Sequence, residues 1–119
     1  MHELSIADAI VTIACEHAAG RRVASVEVRI GRLRQVVPDA LQFAFALVAE
    51  GTSVAGARLE VEHVPVRVAC ARCETLSDAP DFPFACARCG GSEVEVVEGD
   101  ELLVESLELE EETLAVRGG

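Results

Sequence analysis

Four cysteines in two copies of the tetrapeptide CARC constrain this chain more than any other feature. Cys70 and Cys73 stand in the first copy and Cys86 and Cys89 in the second, giving C-x2-C-x12-C-x2-C. A C-x-x-C turn brings two sulfurs to one edge of a metal, and two such turns complete a tetrahedral thiolate shell. Gly90-Gly91, after the second turn, permits the tight backbone through which amide N–H groups approach the sulfurs. The spacing predicts structural Zn(II), although an all-thiolate tetrahedron also suits iron. Redox dithiols fit less well, because neither pair falls at a strand-to-helix junction. A closed four-cysteine site leaves no position for a substrate, so its work is folding and not catalysis. A stretch of about twenty residues buries too little surface to fold alone, and the metal supplies the missing stability.

The cysteine segment, 69–91, interrupts a longer amphipathic pattern. Ser5 is a candidate N-cap for a first helix, whose stripe runs through Ile6, Ile10, Ile13, Ala14 and His17 to a stop at Gly20. VASVEVRI, residues 23–30, alternates as a strand with Val26, Val28 and Ile30 on one face, and Gly31 ends it. Pro38-Asp39 opens a second helix with Leu41, Ala44, Leu47 and Val48 inward and Gly51 closing it. Residues 57–64 read as a strand with Leu59, Val61 and His63 on one face. Past Pro65 the apolar phase moves to Val64, Val66 and Val68, which predicts a bend. ELLVESLELE, after Gly99, returns to strand character, while the last residues carry no structural signal. The expected architecture is α+β, two helices with a three-stranded sheet, plus an inserted zinc-ribbon-like module. The main domain is then discontinuous, 1–68 and 92–119, around a zinc module at 69–91.

Charge and hydropathy narrow the function. The net charge is −11 and all ten basic residues are Arg, which argues against a nucleic-acid backbone as partner. No apolar run approaches the ~20 residues that span a bilayer. The first residues lack a basic leading segment, with Asp8 and Glu16 interrupting the apolar positions, so no secretory signal is read. A cytoplasmic location follows, where thiols stay reduced and paired cysteines bind metal. Cys15 is expected as a buried free thiol, and His17 and His63 as structural residues on a helix face and a strand face.

The opening, MHELSI, poses the functional question. The α-amine of Met1, the main-chain nitrogen of His2 and its imidazole Nδ1 can close adjacent five- and six-membered chelate rings, and the amide nitrogen of Glu3 offers a further in-plane donor. Nitrogen-rich planar sites of this kind suit Ni(II) or Cu(II). A bulky second residue such as His2 also discourages removal of Met1. The dipeptide alone is not specific.

Together, MHELSIADAI, VEVRIGRL, the helix phrase ending L-x-F-x-F, the paired C-x-x-C module and GDELLVESLELE resemble the HypA/HybF family of hydrogenase maturation factors, in order from Met1 to about Glu110. The resemblance implies a non-enzymatic nickel metallochaperone with transferred Ni(II) at Met1, His2 and Glu3, and structural Zn(II) at Cys70, Cys73, Cys86 and Cys89. It implies the GTPase HypB and the hydrogenase large subunit as partners; charge and hydropathy argue against nucleic acid and a membrane, and the chain is expected to be a monomer or a weak homodimer. Some members are similar in supplying a second histidine just after the zinc module; residues 90–101 here have none, and Glu93, Glu95 and Glu98 stand there instead. A zinc-ribbon protein-interaction adaptor with MHE as a mere tail is the alternative reading.

Overall fold

The computed structural model describes residues 2–110 and 113–116, with the backbone alone for 113–115. The chain forms two compact units, Met1–Arg29 with Val36–Glu62 and Leu102–Gly119, and Ile30–Gln35 with His63–Glu101.

In the first unit, α1 (His2–Ala18) buries Ile6, Ala7, Ile10, Val11, Ala14 and Ala18. These recur at helical spacing, so one face of α1 is apolar and packs on α2 (Pro38–Ala49). The expected N-cap does not form. The Ser5 hydroxyl instead donates to the His2 carbonyl at 3.0 Å, within a helix that already began at His2. The reason is tertiary: the Glu3 carboxylate accepts the Val37 N–H at 2.9 Å, which ties the first turn of α1 to the residue that caps α2. At the far end Ala19 and Gly20 take positive φ and close the helix. Cys15 is half-buried, with the Ser53 hydroxyl 4.0 Å from its sulfur, and His17 is exposed with Nδ1 3.0 Å from the Ile13 carbonyl.

α2 carries Pro38 in its first turn, as expected, and buries Leu41, Ala44, Phe45 and Ala49. Leu47 was expected inward and is 52% exposed; Phe45 takes the core place, because the helix is rotated to bury the larger ring. The sheet of this unit has the order β2-β1-β6-β7, from β1 (Val23–Gly31), β2 (Arg58–Val64), β6 (Leu102–Leu109) and β7 (Thr113–Ala115). It has one strand more than expected. β7 pairs antiparallel with β6, setting Thr113 against Glu108 and Ala115 against Ser106. Three residues show no readable alternation, and a ready partner strand decides their conformation.

β1 buries Val26 and Val28 on its helix-facing side. Its other side is polar and largely paired, although the buried Arg29 Nε makes ion pairs and no hydrogen bond. Ser25 and Ser106 donate to the Glu27 carboxylate at 2.6 and 2.7 Å, and Arg29 lies 3.4 Å from Glu62 and 3.5 Å from Glu105. His63 lies within β2, as expected, but is exposed, and the last buried residue of the strand is Val64 on the alternate position.

The second unit holds β3 (Arg67–Cys70), β4 (Leu76–Asp78) and β5 (Val94–Glu98) in the antiparallel order β4-β3-β5. It is wider than the segment 69–91, because β3 and β5 flank the cysteines and pair with each other. Val66, Val68 and Ala79 form its small core with Phe84, Val94 and Val96 around them. Two chain segments also meet within it. Gly31 donates to the Glu101 carbonyl at 2.8 Å and Leu33 to the Gly99 carbonyl at 2.8 Å, while the Arg34 guanidinium donates to the Asp100 carbonyl at 2.9 Å.

Gly31 has no alternative at this junction. A Cβ there would fall 2.0 Å from the carbonyl carbon and oxygen of Gly99, which is backbone and cannot swing aside. Gly31→Ala is expected to lower stability by about 1–3 kcal/mol, read as an earlier midpoint in urea unfolding. A midpoint unchanged from wild type would show that the two segments can separate at no cost.

Candidate metal centre

Both CARC turns fold the same way. The Glu74 N–H donates to the Cys70 carbonyl at 3.0 Å and the Gly90 N–H to the Cys86 carbonyl at 2.8 Å. The Cys70 N–H then reaches the Thr75 carbonyl at 3.0 Å, and the Cys86 N–H the Gly91 carbonyl at 2.9 Å. The residue after each second cysteine takes a left-handed φ, 56° at Glu74 and 75° at Gly90. Glycine adopts that conformation freely, whereas Glu74 holds it at a cost. The sequence flagged Gly90 and missed Glu74, although the repeated CARC was signal enough to align the two positions.

These turns bring all four sulfurs within 4.8 Å of one another. Cys70 and Cys89 are 3.7 Å apart at sulfur, Cys73 and Cys86 3.5 Å. Ligands about 2.3 Å from a zinc ion at the corners of a tetrahedron lie about 3.8 Å apart, so the sulfur set fits such an ion. All are free thiols; Cys70 and Cys86 are buried, Cys73 half-buried and Cys89 exposed. The β3–β5 pairing carries Cys70 opposite Val94 at the end of the sheet, which anchors the first turn to the small core.

The amino-terminal residues sit elsewhere in the chain's first unit. His2 is the exposed first residue of α1, Glu3 beside it is half-buried, and Met1 lies outside the described residues. The bond from the Val37 N–H, with smaller help from Glu3's own backbone N–H and the charge of His2, holds the Glu3 carboxyl below its ordinary range. Sequence reasoning had no means of finding Val37, a residue thirty-four positions away whose only contribution is a backbone N–H.

With this geometry in hand, comparison with known proteins is decisive. Residues 1–109 match the family model described as hydrogenase/urease nickel incorporation, metallochaperone, hypA. The chain belongs to the HypA family. Among its relatives, the hydrogenase maturation factor HypA of Roseiflexus sp. (strain RS-1) is 46% identical over 117 residues, covering 95% of each chain. That of Chloroflexus aurantiacus (strain ATCC 29366 / DSM 635 / J-10-fl) is 49% identical over 113 residues, 91% of this chain and 98% of its own. A solution structure of the Ni metallochaperone HypA from Helicobacter pylori shares the fold, with a TM-score of 0.65 at 24% identity over 98% of this chain and 100% of that one. Two helices with mixed α+β sheets and a four-cysteine cluster are thus the fold of a HypA-family chain. No helix among the described residues is long and apolar enough to cross a membrane.

The HypA-family cysteine cluster is electrostatically uneven. Backbone N–H groups of Cys89 and then Arg88 pull the Cys86 thiol down to about 6. The N–H groups of Cys73 and Arg72 lower Cys70 in the same way. At Cys89 the Gly91 N–H also lowers the thiol, but neighbouring Cys70 and Cys86 push it up to about 11. Four sulfurs at these distances cannot all carry charge without a cation, and Cys89 is the one pushed toward its protonated form. A depressed thiol favours the folded turn above its ordinary titration range, and that contribution fades as pH falls through about 6. In protein stripped of metal, the Cys86 thiol is expected to ionise at lower pH than the Cys89 thiol, read as the change in thiolate ultraviolet absorbance when each is replaced by Ser. Ionisation of both over the same pH range would show that the amide clamp does not activate Cys86.

Proposed function

We propose that this chain binds Ni(II) at its amino terminus and delivers it during maturation of [NiFe]-hydrogenase, acting as a metallochaperone and not as an enzyme. The observation that carries this reading is the family match starting at residue 1, together with an exposed His2 at the tip of α1. The first N–H groups of a helix have no intrahelical backbone partner, so the main-chain nitrogen of His2 can bind a metal once deprotonated, and that of Glu3 can do so on giving up its contact with the Glu3 carboxylate. Donors are the Met1 amine or main chain, the His2 imidazole and main chain, and Glu3. Such a planar, nitrogen-rich set suits Ni(II). An exposed terminal ion can leave by ligand exchange with a recipient that completes the shell from outside.

Cys70, Cys73, Cys86 and Cys89 hold Zn(II), which supplies structure to a unit whose own core is small. The unit with α1 and α2 is then the nickel-binding domain, and the unit of the cysteines the zinc domain. The GTPase HypB and the hydrogenase large subunit are the partners this role requires.

The Glu3 carboxylate already has an occupation at Val37, which favours its main-chain nitrogen as the donor to nickel. Two substitutions separate the roles. Glu3→Gln keeps an acceptor for the Val37 N–H and is expected to retain nickel; Glu3→Ala should speed amide exchange at Val37 as the first turn frays. Loss of nickel in Glu3→Gln with Val37 still protected would make the carboxylate a ligand.

The central test is a Ni(II) titration with zinc analysis on untagged protein beside His2→Ala. Wild type is expected to hold one zinc and to take up nickel, more weakly as pH falls because protons compete for amine and imidazole. His2→Ala should keep zinc and lose nickel. Equal nickel binding by both proteins would leave the amino terminus without a role and return the chain to a zinc-ribbon adaptor.

A further inference from the structure

The outer face of α2 is apolar where solvent would favour polar residues. Phe43 is 72% exposed and Leu47 52% exposed, and they stand one turn apart on the side of the helix opposite the buried Leu41 and Phe45. Exposed Ala46 lies beside them, so the pair belongs to a continuous apolar strip. A carboxylate stands on the same helical face at each end: Asp39 four residues before Phe43, and Glu50 three after Leu47. The segment Pro38–Glu50 contains no Lys, Arg or His.

This pattern selects its occupant by charge. A second copy laid antiparallel on the same face would set Asp39 of one chain beside Glu50 of the other at both ends, with four carboxylates and no cation between them. A parallel pair would oppose like residues directly. Self-association is therefore disfavoured by the same charges that would welcome a basic partner.

We infer that the α2 face of Asp39, Phe43, Leu47 and Glu50 is a docking surface for a basic amphipathic helix of another protein. The rise along eleven helical residues is about 16 Å, so the matching helix carries cations about eleven positions apart with an apolar stripe between them. Phe43 is the anchor, as an aromatic ring at the centre of the strip. The rim charges set orientation and the rate of encounter. This inference does not rest on nickel binding.

The test uses the full chain labelled for NMR and two synthetic amphipathic helical peptides, identical except for Arg or Glu at the two flanking positions. The Arg peptide is expected to shift amide signals across 39–50, to bind at least about tenfold tighter than the Glu peptide, and to weaken with added salt. Phe43→Ser with Leu47→Ser removes only exposed side chains, so the fold should persist by circular dichroism while the Arg peptide loses binding at least about tenfold. Equal binding of both peptides, shifts that map away from α2, or no binding by either would overturn the proposal. So would a concentration-dependent dimer in sedimentation that the double variant abolishes, since it would give the face to a second copy.

Discussion

Four sulfurs gathered within 4.8 Å set the terms for the whole second unit. The apolar cluster under its short strands, Val66, Val68 and Ala79 with Phe84, Val94 and Val96 around them, is too small to fix the conformation of the loops. What organises those loops is a double amide clamp, repeated in each CARC turn, that aims backbone N–H groups at sulfur. The amides of the clamp draw Cys86 down, while the neighbouring sulfurs Cys70 and Cys86 push Cys89 up against the pull of its own Gly91 N–H. A dication bound there would resolve that conflict, displacing thiol protons and turning mutual repulsion into shared attraction. The unit is in this sense built around a charge that its own residues do not supply.

The first unit solves a different problem. α1 and α2 bury ordinary aliphatic stripes, and their energetics are those of any small helical pair. The specific element is the Glu3–Val37 bond, which places the carboxylate of the third residue on the N-terminal end of the other helix. Negative charge at a helix N-terminus is favourable, and here one acid serves two helix starts at once. The first turn of α1, ordinarily a place where a helix frays, is thereby tied down.

Much of this was legible in the sequence, for identifiable reasons. The cysteine spacing, Pro38 at the start of α2, Gly31 at the end of β1 and the phase change at Pro65 are local signals, and each names its own structural consequence. The misread positions depend on partners distant in sequence. Ser5 has the chemistry of an N-cap but is displaced by a contact from Val37. Leu47 fits the inward stripe as well as Phe45 does, and only the packing of the ring decides between them. β7 exists because β6 offers it an edge. His2 is the reverse case: its chemistry is plain from the residue type, and its placement on the first turn of α1 comes from the fold.

His2 lies within helix α1, so its imidazole is carried on a helix and not on a loose segment. A ligand on a disordered tail searches a sphere whose radius grows with the length of the tail, and can meet its recipient before the bodies touch. A ligand on the end of a helix has almost no sphere to search. It moves with α1 as one rigid body, and its position is known to within the fraying of a single turn. If nickel is delivered as proposed, handover from such a site is a docking problem first and a chemical one second. The recipient must bring its own donors to the tip of the helix, and a chain that cannot be held in that pose will not receive, whatever its affinity for the ion.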